Sequence, residues 1–291
     1  MPKLKLNLAL PPPNILVLVS IASTQLGSAF AKTIIQEIGS TTTVLLRVGL
    51  GAIALLLLQR PQLKGYTRAN YLLMILFGLS MAAMNLSFYG AIERIPLGIA
   101  VTLEFIGPLG VACANSRRIL DLLWIFFAGV GIFLLAPVQG SSLDPLGVAL
   151  AFSAAFFWGA YILLSAKIGK VFADVNGLGL MSAVLMVGTL ALLPLSILSG
   201  GLTRLEPKFL AIGMVVAILS SAIPYTFELE ALKKLPIRVF GVLMSLEPAI
   251  ATFLGFIILR EKLELRALVA ITLVSFASVG ASAFEKRSRL K

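Results

Sequence analysis

The chain has 291 residues, 59% of them apolar and only 13% charged, and its mean hydropathy is +1.01. A soluble domain is nearer ~45–50% apolar and ~25% charged, so the composition excludes a soluble globular protein, and no polar stretch is long enough for a separate soluble domain. Lys and Arg exceed Asp and Glu by 24 to 13, but they are scattered through short loops, which reads as positive-inside bias and attraction to anionic lipid and leaves no nucleic-acid partner.

The N-terminal Lys3 and Lys5 precede an apolar run and faintly resemble a signal peptide. Pro11-Pro12-Pro13 interrupts that run, and the stretch from Ile15 is long enough to span, so it reads as a retained first helix. At about 20 apolar residues per crossing, ten spans are predicted, near 15–34, 42–58, 70–92, 97–115 and 121–137, then 146–168, 176–198, 209–232, 237–259 and 265–284. Turn residues such as Arg60-Pro61 and Ser199-Gly200-Gly201 join them. With the N-terminus cytoplasmic, about sixteen Lys and Arg face the cytoplasm and about seven the other side, so both termini are expected inside. The acids in Arg260-Glu261-Lys262-Leu263-Glu264 offset an otherwise basic outer loop.

A pattern recurs. Ala91-Ile92-Glu93-Arg94-Ile95-Pro96-Leu97, followed by Pro108, returns as Ala231-Leu232-Lys233-Lys234-Leu235-Pro236-Ile237, followed by Pro248, at an offset of 140 residues. Each half holds five spans, an odd number, so the second copy enters the bilayer from the opposite side. The expected fold is an all-α membrane protein of ten transmembrane helices, two inverted five-helix repeats around a central cavity, the architecture of secondary transporters. The divisions are a cytoplasmic segment 1–14, a first repeat 15–137, a second repeat 146–284 and a basic cytoplasmic tail 285–291. One chain can close around a cavity, so a monomer suffices and a dimer is compatible.

A charge near the bilayer centre costs ~2.5–3.5 kcal/mol on insertion scales, which makes it a functional candidate. Glu104 lies mid-way along the fourth span and Glu247 along the ninth, each followed within a turn by a helix-kinking proline, Pro108 and Pro248. Pro108 cannot donate to the carbonyl of Glu104, nor Pro248 to that of Met244. A carboxylate beside free backbone oxygen suits an ammonium group or an exchangeable proton; the plain alternative is a neutral, hydrogen-bonded acid at a kink. Arg47 offers a fork for a substrate carboxylate, or it snorkels or neutralises a glutamate. Lys32, near a span end, is expected to snorkel and Glu230 to sit at the interface; Glu228, in the last turns of the eighth span, is a candidate for the cavity with the interface as its alternative. Asn85, Tyr89, Trp158, Tyr161, Tyr225 and Ser245 are the polar and aromatic candidates for substrate or proton binding, with Gln25 a further polar residue within a span. Trp158 stacks on an ammonium or packs between helices.

Enzyme chemistry finds no support. There is no Walker loop and no nucleophile–base pair. Histidine is absent and Cys113 is the single cysteine, so neither a metal site nor an intramolecular disulfide is expected, and no cofactor.

The duplicated ten-span pattern, with Ile258-Leu259-Arg260-Glu261-Lys262-Leu263 leading into a last helix rich in small residues, resembles the EamA-type drug/metabolite transporter superfamily. That family's motif usually has Gly before the Glu, and Arg260 departs from it. Three stretches look like the members that export threonine and homoserine: Ile95 to Leu109 with Ser116-Arg117-Arg118, Val216 to Tyr225 with Glu228 after it, and Phe240 to Ala249. The resemblance implies a multi-pass protein of a bacterial inner membrane that carries small amino acids out of the cytoplasm on a proton gradient. Export of other metabolites or drugs is the alternative within transport, although the first span lacks the glutamate on which small multidrug exporters rely. A non-transporting scaffold or an intramembrane enzyme is the alternative outside it.

Overall fold

Long apolar runs satisfy their backbone within themselves, so they become helices. The computed structural model describes residues 11–61, 63, 65–114, 119–135, 143–172, 175, 177–232, 235, 243–244, 246–262 and 264–284. In chain order these form α1 (Pro13–Ile38), α2 (Ser40–Leu58), α3 (Arg68–Ile92), α4 (Leu97–Glu104), α5 (Ile106–Ala114), α6 (Ile119–Leu135), α7 (Pro145–Val171) and α8 (Gly177–Leu198). A short 3-10 turn (Gly201–Arg204) leads to α9 (Pro207–Ala217), one turn of π-helix (Ile218–Ala222), α10 (Ile223–Leu232), α11 (Glu247–Leu259) and α12 (Leu265–Phe284). By length and apolarity α1, α2, α3, α7 and α8 can each cross a membrane, and Leu97–Val111, Pro207–Ala222, Glu247–Leu259 and Leu265–Ala277 are shorter apolar segments.

Local chemistry sets the ends. Pro13 opens α1, where its missing N–H costs nothing. Gly39, at φ 79°, separates α1 from α2 in a conformation closed to most residues. Asp144 caps α7, accepting from the N–H groups of Leu146 at 2.8 Å and Gly147 at 3.3 Å. Its carboxyl also accepts from Arg94 at 3.1 Å, and that bond holds it below the usual carboxylate range.

Helix α3 packs on α7, α2 on α8, α6 on α12, and α1 on α10 and α11; α4 lies between α7 and α11, and α5 against α7. The main core runs through α2, α3, α4 and α8. Leucines and phenylalanines instead point outward at Leu57, Phe156, Leu198 and Leu265, as lipid-facing surfaces require. A groove of about 520 Å3 between α3, α7 and α8 is lined by apolar residues, the exposed Leu79 and Phe156 and the buried Leu192 among them, and its Ser80 donates to the Phe157 carbonyl.

Among the described residues, the fourth and eighth predicted spans are broken, and the helix of the ninth begins at Glu247 after a turn at Leu246. The fourth is two helices, broken at Phe105, where Pro108 removes the donor that would have bridged the break. Helix α5 then sits directly on α7, since a Cβ on Gly107 would lie 2.1 Å from the Ala155 carbonyl oxygen. The eighth is interrupted by the π turn, whose wider loop leaves main-chain oxygens outside the usual ladder. Beyond α11, Arg260 has φ 55°, the left-handed region in which glycine is cheapest. This is the physical reason a glycine suits the position before Glu261.

Candidate functional site

Arg47 lies well inside the second predicted span, and α2 carries it inward to 7% exposure. A buried guanidinium must be bonded. It donates to the Tyr89 hydroxyl on α3 at 3.3 Å and to the Ser220 carbonyl in the π turn at 3.2 Å, with its Cζ 5.4 Å from the Tyr89 ring centroid. The Ser220 carbonyl accepts because Pro224, four residues on, has no N–H to offer it. The π turn sits close to α1, where a Cβ on Gly27 would lie 2.0 Å from the Ser220 Oγ.

Two acids lie near this cation, and a third lies near one of them. Arg47 is within electrostatic reach of both Glu104 and Glu247, these two of each other, and Glu228 of Glu247. Glu104 ends α4, and Glu247 begins α11, with Pro248 buried beside it. Glu247 Oε1 accepts from the Gln25 amide of α1 at 3.3 Å. Its Oε2 and the Gln25 Oε1 are buried with no hydrogen-bond partner among the described residues. Such acceptors are costly to leave unmade, and they are suited to a donor that comes and goes. Further along α1, Ser20 donates to Glu228 Oε1 on α10 at 2.5 Å.

Thus Arg47 and Tyr89 are bonded, Glu104 and Glu247 lie within electrostatic reach of Arg47, Glu228 joins through Glu247 alone, and Trp158 meets Phe105, the residue after Glu104, edge to face with centroids 5.1 Å apart. Asn85 instead bonds its own helix, donating to the Met81 carbonyl at 2.8 Å. Tyr161 stacks on Phe77 of α3 at 5.0 Å. Tyr225 lies in α10, but its side chain, like that of Glu230 and the whole of Ser245, lies outside the described residues. Lys32, expected to snorkel, is turned inward and pairs with Glu261 at 2.6 Å; a carboxylate in reach is a better partner than the interface. Sequence reasoning named Gln25 as a polar candidate without its pairing to Glu247, and it missed Ser20 and the Ser220 carbonyl. The last was detectable by the proline rule that flagged Glu104.

The sequence profile of the EamA-like transporter family matches residues 145–283. The chain is 36% identical over 282 residues to the threonine/homoserine exporter RhtA of Escherichia coli K12, covering 96% of this chain and 94% of that protein. It is 35% identical over 272 residues to the protein of the same name from Salmonella typhimurium LT2, covering 93% and 91%. A solved crystal structure superposes with TM-score 0.58 at 17% identity, covering 96% of this chain and 98% of the other, which is a likeness of fold. With apolar helices long enough to cross a bilayer and a relative this similar along nearly its whole length, the chain belongs to the EamA-like transporter family.

Proposed function

We propose that this protein exports small amino acids of the threonine or homoserine type from the cytoplasm across a bacterial inner membrane, by alternating access coupled to the proton gradient. The observation that carries the reading is the 36% identity to the Escherichia coli threonine/homoserine exporter over 96% of the chain. The chemistry of the cluster supports it. A zwitterionic amino acid needs an anionic partner for its ammonium and a cationic one for its carboxylate. Glu104 and Glu247 serve the first need and Arg47 the second. Arg47 donates to the neutral oxygens of Tyr89 and Ser220, and a substrate carboxylate would offer its planar fork a full negative charge and two acceptor oxygens. The carboxylates give up the ammonium when they take a proton, which ties substrate movement to the gradient.

The proposed scaffold is ten spans in two inverted repeats, 15–137 and 146–284, with both termini cytoplasmic. Helix packing supports it. Exchanging the halves converts the α3–α7 pair into α10–α1, the α4 and α5 contacts with α7 into α11–α1, and α3–α8 into α9–α2. The α2–α8 and α6–α12 pairs map onto themselves. The family match over 145–283 falls on the second half. The test is efflux of labelled threonine and homoserine from cells overexpressing the chain, against an empty vector, with and without an uncoupler. Faster efflux that the uncoupler abolishes is the expected result. Efflux equal to the control at confirmed membrane expression contradicts the substrate class.

A further inference from the structure

At one end of the bundle, three separate stretches of chain meet at a single carboxylate. Glu261 follows α11 and is turned back toward it. Arg260 takes the left-handed conformation, and the Glu261 N–H donates to the Gly255 carbonyl at 3.1 Å. The returning carboxylate lies against Gly255, where a Cβ would come within 2.6 Å of Oε2. There it accepts from Lys32 Nζ of α1 at 2.6 Å and from the Leu97 N–H, the first of α4, at 3.2 Å and 3.0 Å through its two oxygens. Lys32 also donates to the Ile95 carbonyl at 2.8 Å, on the segment entering α4. Glu261 therefore does in trans what a capping residue does in cis, satisfying an unpaired N–H at the positive end of a helix.

These three helices carry the two central acids and the glutamine that pairs with one of them. Helix α4 runs from Leu97 to Glu104, α11 from Glu247 to Leu259, and α1 carries Gln25, the partner of Glu247. The contact joins the far ends of the two acid-bearing helices. It is also built to part. The side chains of Lys32 and Glu261 are 20% and 12% exposed, so water reaches both groups and can rehydrate them on separation, which it cannot do readily for a fully buried pair.

We propose that Lys32 and Glu261 are positioning residues of the transport cycle: their clasp holds the outer ends of α1, α4 and α11 together and opens to let substrate leave on that side. The inference rests on the transport reading and the orientation proposed above. It deepens that reading by naming the contact that closes the outer face. The acceptor at 261 matters as much as the charge, because Leu97 needs an acceptor and Lys32 needs an anion.

The test labels a cysteine at Ile99, which is in the first turn of α4 and 4% exposed. The background is Cys113→Ser, and the reagent is a membrane-impermeant maleimide applied to the outer face. In Glu261→Gln, labelling should quicken by roughly tenfold, the factor that loss of one charge-assisted bond corresponds to, and uncoupler-sensitive efflux should fall. Exchanging the charges, Lys32→Glu with Glu261→Lys, restores an ion pair but offers Leu97 no acceptor, so labelling should stay fast. A wild-type labelling rate in Glu261→Gln, or an exchange that restores both protection and efflux, would overturn the clasp. Should Glu261→Gln not reach the membrane, Lys32→Gln leaves Leu97 capped and should label at an intermediate rate; a wild-type rate there overturns it equally. Labelling does not depend on the substrate. A wild type that moves no amino acid therefore counts against the transport reading, while the labelling arms still decide the clasp.

Discussion

Arg260 and Ser220 show how a single backbone position sets what a neighbouring side chain can do. At φ 55° Arg260 turns the chain so that Glu261 points back across α11. A residue with a Cβ pays ~1–2 kcal/mol for that conformation, whereas glycine adopts it freely but loses more freedom on folding. Arg260→Gly should therefore be neutral or stabilising by up to about 1 kcal/mol. Arg260→Val, β-branched and an outlier at positive φ, should lower the melting temperature of the purified protein. Valine melting as high as glycine would mean that the left-handed turn is not kept in solution. The Ser220 carbonyl belongs to the same class of effect, because a proline four residues away decides that it bonds Arg47 and not the helix.

Helices carry these residues, and most of them were legible. Apolar length located α1, α2, α3, α7, α8 and α12 within a few residues of their ends, because hydropathy averages well over some twenty positions. The break at Phe105 and the π turn at Ile218–Ala222 were not read, since apolarity is blind to which carbonyl a given N–H meets. The prolines hold that information: Pro108 marks the break, and Pro224 the turn. In the site, Glu104, Glu247 and Arg47 stood out through the cost of charge in an apolar span. Lys32 and Glu261 did not, because the pair is 229 residues apart in sequence and each looked like an end-of-span charge. Pro224→Ala tests the part played by the π turn. It supplies an N–H for the Ser220 carbonyl, which then competes with Arg47. Thermal stability in detergent should hold or rise while the rate of amino-acid efflux falls. Unchanged efflux with a stable protein would remove the π turn from the mechanism.

In the whole molecule, the acids at the middle of the bundle and the clasp at its end are joined by the same helices. Glu104 and Glu247 lie at the inner ends of α4 and α11, and Glu261 binds their outer ends. A change of charge at the centre can thus be felt at the rim through rigid helices of about ten to twenty ångströms at 1.5 Å per residue, which is what alternating access around a fixed site requires. The exposed leucines and phenylalanines of α2, α7 and α8 face lipid and leave the polar chemistry to the interior.

Proton exchange at Glu104 and Glu247 is proposed to drive amino-acid export. The direct measurement uses purified protein in liposomes carrying labelled threonine, with a pH gradient imposed across the membrane, for the wild type, Glu104→Gln and Glu247→Gln. Gradient-driven threonine flux is expected in the wild type and a loss of at least about tenfold in each variant, the consequence of removing a charged partner for the ammonium, with the variants folded to the same melting temperature. Threonine flux that ignores the gradient, or wild-type flux from both variants, would contradict it.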